Sequence, residues 1–492
     1  MPFVKNVLKY IPKLKIAGWA NTAPRLSDDR STTVSTAPLF HQNKKISLES
    51  LLNFYETAEH PKWPLEIFIE VSNVCDLQCA MCPTFSALSN KRFTSISARH
   101  RGFFDLNLIE DKLEEALKHA LVVHAFGYGE PTLHPQFPML LEKLGKYDVM
   151  VDFFTHGMHL TESLCAEVIK QKISKVTISF SGADQDDYEN VYLGGDYEKI
   201  LTGIRRLNQH KVINGSEYPL IVVNSLAFQH HVSRLPEFVQ IMGEAGVNVI
   251  HLKPLQVFGK IKELYEHVSI YSVDQHQEIL AEAKQIADKY NIILGTKEYE
   301  ASTTPPVYHS AEKLSVPIST LKEIASIKRG GKEGLGEKTK KKHDIKVPRK
   351  EQIKYRYNKN IFCTEPFKTL YVSYEGSVYP CCFNTPSKLA WGDINKNCTT
   401  EIWQSDLMAS VREHVINQQY PELLCNNCME TLVYPKRNPA RTHAIHYFRW
   451  YEEKYGTPFS PKLLQKVQAT PEWNEPLFEQ LQNIAYNDVS AT

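Results

Sequence analysis

The chain has 492 residues, 57 Lys and Arg against 56 Asp and Glu, and a formal net charge of +1. That length suggests two to four domains with ample core, and the balanced charge excludes a global electrostatic drive toward nucleic acid or an anionic membrane. No run reaches the roughly 18–20 uninterrupted apolar residues of a membrane helix; Lys5, Lys9, Lys13 and Lys15 interrupt what a secretory signal would need as its apolar core, so a cytoplasmic protein is expected.

Residues 1–60 read as an irregular extension. Met1 to Trp19 suggests a short amphipathic helix, interrupted near Pro12, that docks on the protein; contact with a membrane surface is the minor alternative. Ser27 to Pro38 is polar and reads as loop. From Pro64 the texture changes. Leu65–Val71, Leu121–Gly127, Val149–Thr155, Ser174–Phe180, Leu220–Phe228 and Val247–Leu255 are short β-rich runs, and helical patterns lie between them. Alternating strands and helices indicate βα units on a parallel sheet. Six such units over 61–260 fall short of a closed eight-unit barrel and predict a partial (β/α)6 barrel. A connector over 261–354 holds a helix at Val273–Tyr290, the strand-like run NIILG, and the Gly- and Lys-rich segment Ser326–Lys350, which lacks aromatics and reads as a linker. A cysteine-rich segment spans 355–435, and 436–492 reads as a helical tail.

Ten cysteines are too sparse for a disulfide scaffold, but their spacing is informative. Cys75, Cys79 and Cys82 follow the first strand directly, in a loop at the carboxyl end of the sheet, where barrel active sites lie. Three thiolates fill three corners of an iron–sulfur cubane and leave the fourth iron open, whereas a structural zinc site wants four ligands. Cys363, Cys381, Cys425 and Cys428 form two pairs, suited on spacing alone to zinc or to a cubane. Cys382 competes with Cys381 as a ligand. Cys398 lies in a polar loop and reads as free, and Cys165 in a helical pattern reads as core.

The Cys75, Cys79, Cys82 spacing, with Met81 before the third cysteine and Pro83 after it, resembles the radical S-adenosylmethionine (SAM) enzymes over roughly residues 64–260. The resemblance implies a [4Fe-4S] cluster on these three thiolates, with the amine and carboxylate of SAM on the open iron. One-electron reduction then releases a 5′-deoxyadenosyl radical that abstracts a substrate hydrogen. The run GYGEPTLHP resembles the family's Gly-Gly-Glu-Pro loop, with Gly129, Glu130 and Pro131 in register and Tyr128 in place of one glycine. By that likeness Glu130 and nearby backbone receive the methionine amine. Thr155–Gly157 stands where the family has Thr-Asn-Gly, with His156 as a departure that reads as structural. In ISFSGA, Ser179 would reach the ribose, and Ser181 replaces an aspartate. Both departures are placed on the substrate side. The expected SAM contacts are thus Met81, Gly129, Glu130, Pro131, Thr155 and Ser179. Asn224 and Lys253 either line the cavity or pack against a helix.

The order Cys363, Gly376, VYPCC, GDI, EIW, Arg412, CNNC resembles the SPASM/twitch domains that follow such barrels. No cysteine follows Cys428, so the likeness is to the single-cluster, twitch-type form, with Cys363, Cys381, Cys425 and Cys428 on one auxiliary [4Fe-4S] cluster. The fold class implied is α/β: a partial barrel of the radical SAM type, a small α+β SPASM/twitch domain and a helical tail. The activity implied is SAM cleavage followed by oxidation or rearrangement of a small molecule such as a sugar, aminocyclitol or nucleotide, supplied with electrons by a flavodoxin or ferredoxin. No nucleic-acid partner is expected. A ribosomal-peptide maturase is the alternative within the superfamily, and a non-catalytic iron–sulfur or zinc scaffold is the alternative outside it.

Overall fold

The computed structural model describes residues 39–57, 61–82, 84–86, 101–253, 273–296, 347, 349–357, 363, 365–379, 390–421, 439–455 and 461–469. Expectations for 1–38, for the basic segment 326–346 and for Cys381, Cys382, Cys425 and Cys428 lie outside the described residues.

The centre is one ten-stranded sheet. Strands β1 (Glu66–Ile69), β2 (Val122–His124), β3 (Met150–Thr155), β4 (Lys175–Ser179), β5 (Leu220–Leu226), β6 (Val249–Lys253) and β7 (Ile293–Gly295) run parallel in sequence order. The six strands read from the sequence are all present. The seventh, Ile293–Gly295, is the strand-like run of the connector; Ile293 and Leu294 pair with Val249 and Ile250. A two-stranded ladder, β8 (Tyr355–Tyr357) with β12 (Gln419–Pro421), stands apart.

Helices cover one face of the sheet. Helix α1 (His41–Thr57) precedes it; α2 (Glu114–His119), α3 (Phe137–Gly145), α4 (Glu162–Lys170), α5 (Gln185–Glu189), α6 (Tyr197–Ile213), α7 (Leu235–Ala245) and α8 (Val273–Tyr290) alternate with the strands. Their starts are written in the sequence: Thr161, Asp184 and Asp196 each accept a backbone N–H from the first turn of the helix that follows, at 3.3, 2.9 and 2.9 Å. Strand period two then sorts the side chains. Ile67, Ile69, Val123, Val151, Phe153, Val176, Ile178, Val223, Ile250 and Leu252 pack with the helices in the main core. Their neighbours Phe68, His124, Asp152, Lys175, Thr177, Ser179, Asn224, His251 and Lys253 occupy the other, inner face.

The C-terminal segment joins this sheet. Strand β9 (Thr369–Val372) lies parallel to β1, and β10 (Ser377–Tyr379) and β11 (Gly392–Asp393) continue antiparallel beyond it. Gly376 turns the β9–β10 hairpin with φ +91°, a conformation that side chains other than glycine's strain. At the seam the buried Lys368 Nζ donates to Glu66 Oε2 at 2.7 Å and lies 3.1 Å from Glu365. Burial opposes its charge, yet Glu365 and Glu66 together hold its pKa above the ordinary lysine value. The EIW and Arg412 positions prove to be packing. The Arg412 guanidinium lies over the Trp403 ring and donates to the carbonyls of Pro366 and Trp403, both at 2.9 Å, from α9 (Asp406–Ile416).

Residues 39–57, read as irregular, instead begin with helix α1. Leu48, Leu51 and Leu52 bury one stripe of it against α10 (Pro439–Tyr455) and α11 (Pro461–Gln468), beside Leu121, Val122 and Met150 at the amino ends of β2 and β3. The fully buried Lys44 extends beneath α2 and donates to the carbonyls of Leu117 and Ala120 at 2.6 and 2.5 Å. These carbonyls have no partner within their own helix, which is why a lysine is tolerated there. Helices α1, α10 and α11 thus close the amino end of the strands.

Candidate active site at the carboxyl end of the strands

The cysteine loop leaves β1 and is held from both sides. On one side the Gly129 N–H donates to Ser72 O at 3.0 Å and the Glu130 N–H to Val74 O at 2.8 Å. A Cβ on Gly129 would lie 2.5–2.6 Å from backbone atoms of Ser72 and Val74, so only glycine permits this approach. On the other side the Gln78 N–H donates to Leu193 O at 2.9 Å and the Ala80 N–H to Val191 O at 2.8 Å. Within the loop the Phe85 N–H points at Cys82 Sγ, 3.3 Å away.

Cys75, Cys79 and Cys82 are free thiols and half-buried. Burial raises the pKa of all three; Cys79 and Cys82 add to the shift at Cys75, and Cys82 adds to it at Cys79. Three soft donors that repel one another as thiolates are a set that bound iron would relieve. The residues therefore fit three corners of a cubane.

Glu130 is buried and organises the neighbouring loops. Its Oε1 accepts from the Thr132 N–H at 3.1 Å, from the Thr132 hydroxyl and from the Thr155 hydroxyl at 2.7 Å. Its Oε2 accepts from the His156 N–H at 2.9 Å. A carboxylate offers about four acceptor directions. Oε1 takes three donors and Oε2 one, with His156 Nε2 also 3.5 Å from Oε2. Pro131 opens the short helical turn capped by Glu130. Met81 is half-buried against the core beside the cysteines. Ser179 ends β4, in register with Asn224 and thence His251.

His156 departs from its expected surroundings in a specific way. Its Nε2 donates to Asp76 Oδ1 at 2.8 Å, while His159 Nε2 meets Asp76 Oδ2 at 2.9 Å. Asp76 lies between Cys75 and Cys79, so the loop after β3 clamps the cysteine loop. Burial would raise the Asp76 pKa, but the two histidines hold it well below the carboxylate range. Burial likewise opposes a charged His156, and Glu130 and Asp76 outweigh it and raise its pKa. Ser181, expected on the substrate side, is instead turned into the protein. Its hydroxyl accepts the Leu226 N–H at 2.8 Å and shares a hydrogen bond with the Tyr192 hydroxyl at 3.0 Å.

The inner face carries groups that the sequence reading did not single out. His124 Nδ1 and Asp152 Oδ1 are 2.9 Å apart, and Lys175 lies 3.4 Å from Asp152 Oδ2. Above them stand Thr177, Asn224, His251 and Lys253. Asn224 and Lys253, left open between cavity and helix packing, lie on the inner face because Val223 and Leu252 take the helix-facing positions. The signal was available: polar residues two apart in otherwise apolar strands. Burial, then Lys253 and Lys175, push the His251 pKa down to about 3 from 6.5. The unfolded chain takes up a proton near pH 6.5 that the folded protein refuses until about pH 3, so stability falls as pH drops through that window. Between pH 7 and pH 5 this amounts to about 2 kcal/mol. His251→Asn is expected to remove that share, read by denaturant unfolding at the two pH values; an unchanged pH dependence rules the contribution out.

Residues 69–226 match the radical SAM superfamily model, and residues 363–429 match SPASM, an iron–sulfur cluster-binding domain. The chain thus carries a radical SAM domain followed by a SPASM domain, and this pair of domains implies [4Fe-4S] clusters and SAM as cofactors. A tungsten-containing aldehyde ferredoxin oxidoreductase cofactor-modifying protein of Pyrococcus furiosus is 24% identical over 201 residues, covering 39% of this chain and 53% of that protein. A cysteine-type anaerobic sulfatase-maturating enzyme of Clostridium novyi is 27% identical over 179 residues, covering 34% and 45%. A PqqA peptide cyclase of Granulibacter bethesdensis is 21% identical over 198 residues, covering 40% and 48%. The chain thus spans about half the length of the curated relatives it matches. Streptococcus suis SuiB bound to S-adenosylmethionine superposes with a TM-score of 0.46 at 13% identity, over 74% of this chain and 71% of that one. Among the described residues no helix is long and apolar enough to cross a membrane.

Proposed function

We propose that this protein is a radical SAM maturase that modifies a peptide or protein substrate, rather than an enzyme of sugars, aminocyclitols or nucleotides. The observation that carries the reading is the naming of its relatives, which includes a peptide cyclase and a sulfatase-maturating enzyme, matched over less than half of this chain.

In this reading Cys75, Cys79 and Cys82 hold the first cluster, and Cys363, Cys381, Cys425 and Cys428 hold an auxiliary one. When bound, the first cluster and SAM supply a 5′-deoxyadenosyl radical able to remove a substrate hydrogen. The protein's own residues position and exclude. Glu130 Oε2 and the backbone near Gly129 and Pro131 receive the methionine end of SAM. Thr155 orients Glu130, Met81 packs beside the cluster, and Ser179 meets the ribose. The inner face, with Asn224, His251 and Lys253 near the open end, contacts the substrate. The oxidising character of the reaction, the flavodoxin- or ferredoxin-type donor and the cytoplasmic location are carried as parts of the same proposal.

The test is to supply the reduced, reconstituted protein and SAM with peptides encoded beside its gene. A mass change in a peptide, matched by 5′-deoxyadenosine, is the expected result; turnover of a small molecule with every peptide unchanged would overturn the reading. The auxiliary cluster has its own test. A Cys425→Ala, Cys428→Ala double variant is expected to keep the first cluster and still form 5′-deoxyadenosine, while product per 5′-deoxyadenosine falls toward zero. A ratio equal to wild type in the folded fraction makes that cluster a structural staple.

A further inference from the structure

The inner face of the sheet carries two kinds of surface. Over β1, β2, β9 and β10, Phe68, Phe126, Tyr371 and Tyr379 form one buried aromatic cluster, with Phe154 of β3 packed against it. Toward the carboxyl ends of β4–β6 the face is polar. Ser179, Asn224 and His251 are direct neighbours across the three strands. Thr177 precedes Ser179 by two residues and Lys253 follows His251 by two, so both share that face.

These groups are buried without being satisfied. Thr177 Oγ1 is closed off from solvent and has no hydrogen-bond partner among the described residues. Asn224 and His251, each 9% exposed, make no side-chain hydrogen bond among the described residues. Buried polar groups without partners need an explanation, and a few of them converging beside an apolar wall are what fixes the orientation of a ligand. The charge on this face is positive. Lys253 is 7% exposed, and the nearest strand acid, Asp152 of β3, is already matched by His124 at 2.9 Å and Lys175 at 3.4 Å. His251 stays a neutral N–H donor, through burial first and then the charges of Lys253 and Lys175. One ammonium, one amide and one imidazole N–H suit a single negative charge spread over planar oxygens. Lys253 lies two strands beyond Ser179, where the ribose is placed, and so beyond the span given to SAM.

We propose that Lys253, Asn224 and His251 form a carboxylate subsite that takes an Asp or Glu side chain of the peptide substrate. The proposal rests on the maturase reading for the peptide and adds the acidic residue. Lys253 supplies the charge, the Asn224 amide and the His251 N–H supply directed donors, and the aromatic cluster receives the apolar remainder of the entering segment. An acid bound at β5 and β6 fixes which residue of the peptide is turned toward the cysteine loop after β1, so the subsite determines specificity.

The experiment uses the full chain, reconstituted anaerobically and loaded with SAM but not reduced, so that nothing turns over. Two end-blocked tripeptides, Ala-Glu-Ala and Ala-Gln-Ala, are titrated and their binding is read by ligand-observed NMR. The acidic probe is expected to bind roughly tenfold or more tightly than its amide isostere, and the ratio is expected to fall toward one in Lys253→Gln. Equal binding of the two probes to wild type overturns the proposal, and so does a preference that survives in Lys253→Gln. A surviving preference with weakened SAM binding would give Lys253 to the SAM carboxylate instead. Tighter binding of Ala-phosphoserine-Ala than of Ala-Glu-Ala overturns the choice of a carboxylate. Should Lys253→Gln fail to fold, Asn224→Ala takes its place: weaker binding of the acidic probe is expected, and unchanged binding overturns the proposal. The maturase reading fails separately. If no peptide encoded beside the gene is modified, that reading falls while the probe ratio still decides the subsite. If a peptide is modified at an undiminished rate after its Asp and Glu residues are replaced by Asn and Gln, the subsite falls and the reading stands.

Discussion

Cys79→Ala is expected to abolish 5′-deoxyadenosine formation and to lower the iron content of the reconstituted protein from about eight per chain to about four, one cluster being lost and the other kept. Two thiolates cannot hold a cubane whose fourth corner must stay open for SAM. The structure adds a reason for the completeness of the loss. Cys79 sits in the stretch pinned by the Gln78 and Ala80 N–H groups to the strip after α5, so no neighbouring residue is free to move in as a substitute. The fold is expected to survive, because the pins are backbone hydrogen bonds that the loss of one thiol does not disturb. Iron and sulfide analysis together with product quantification checks the prediction. A variant that keeps both clusters and cleaves SAM would remove Cys79 from the site.

Glu130→Ala is expected to have the second-largest effect. On sequence alone its main cost is one charge-assisted contact to SAM, worth roughly 1.5–3 kcal/mol. The geometry makes the change doubly damaging. Truncation also strands the Thr132 N–H, the Thr155 hydroxyl and the His156 N–H, which the buried carboxylate gathers. A further stability loss of roughly 2–4 kcal/mol follows. His156 in turn holds Asp76, so the loss extends to the cysteine loop. Glu130→Gln separates the two roles. It keeps an acceptor oxygen and much of the shape, so its stability loss is expected to be smaller, while SAM affinity still falls by roughly tenfold or more with the missing charge. Thermal melting beside equilibrium SAM binding reads both. Unchanged SAM affinity in Glu130→Gln would leave Glu130 a purely structural tie.

The sequence by itself determined what depends on short spacing and period. The Cys75, Cys79, Cys82 run and the Gly129-Glu130-Pro131 loop lie in the connections that leave β1 and β2, so strand order alone carries them to the carboxyl edge of the sheet. The six βα units were legible for the same reason: short apolar runs between amphipathic helices leave little choice of fold.

Long-range pairing was decided only by the tertiary structure, because no local pattern encodes it. That β9 adds to β1, some 300 residues away, depends on a register and on the buried Lys368–Glu66 pair. That α1 is a packed helix depends on α10 and α11 covering Leu48, Leu51 and Leu52; without them its apolar stripe is too weak a signal. That His156 clamps Asp76 and that Ser181 turns inward are likewise decided by which loops the parallel sheet brings together at one edge. A side chain's partner across that edge is set by three-dimensional proximity: Ser181 and Tyr192 are 11 positions apart in the chain, and His156 and Asp76 are 80 apart.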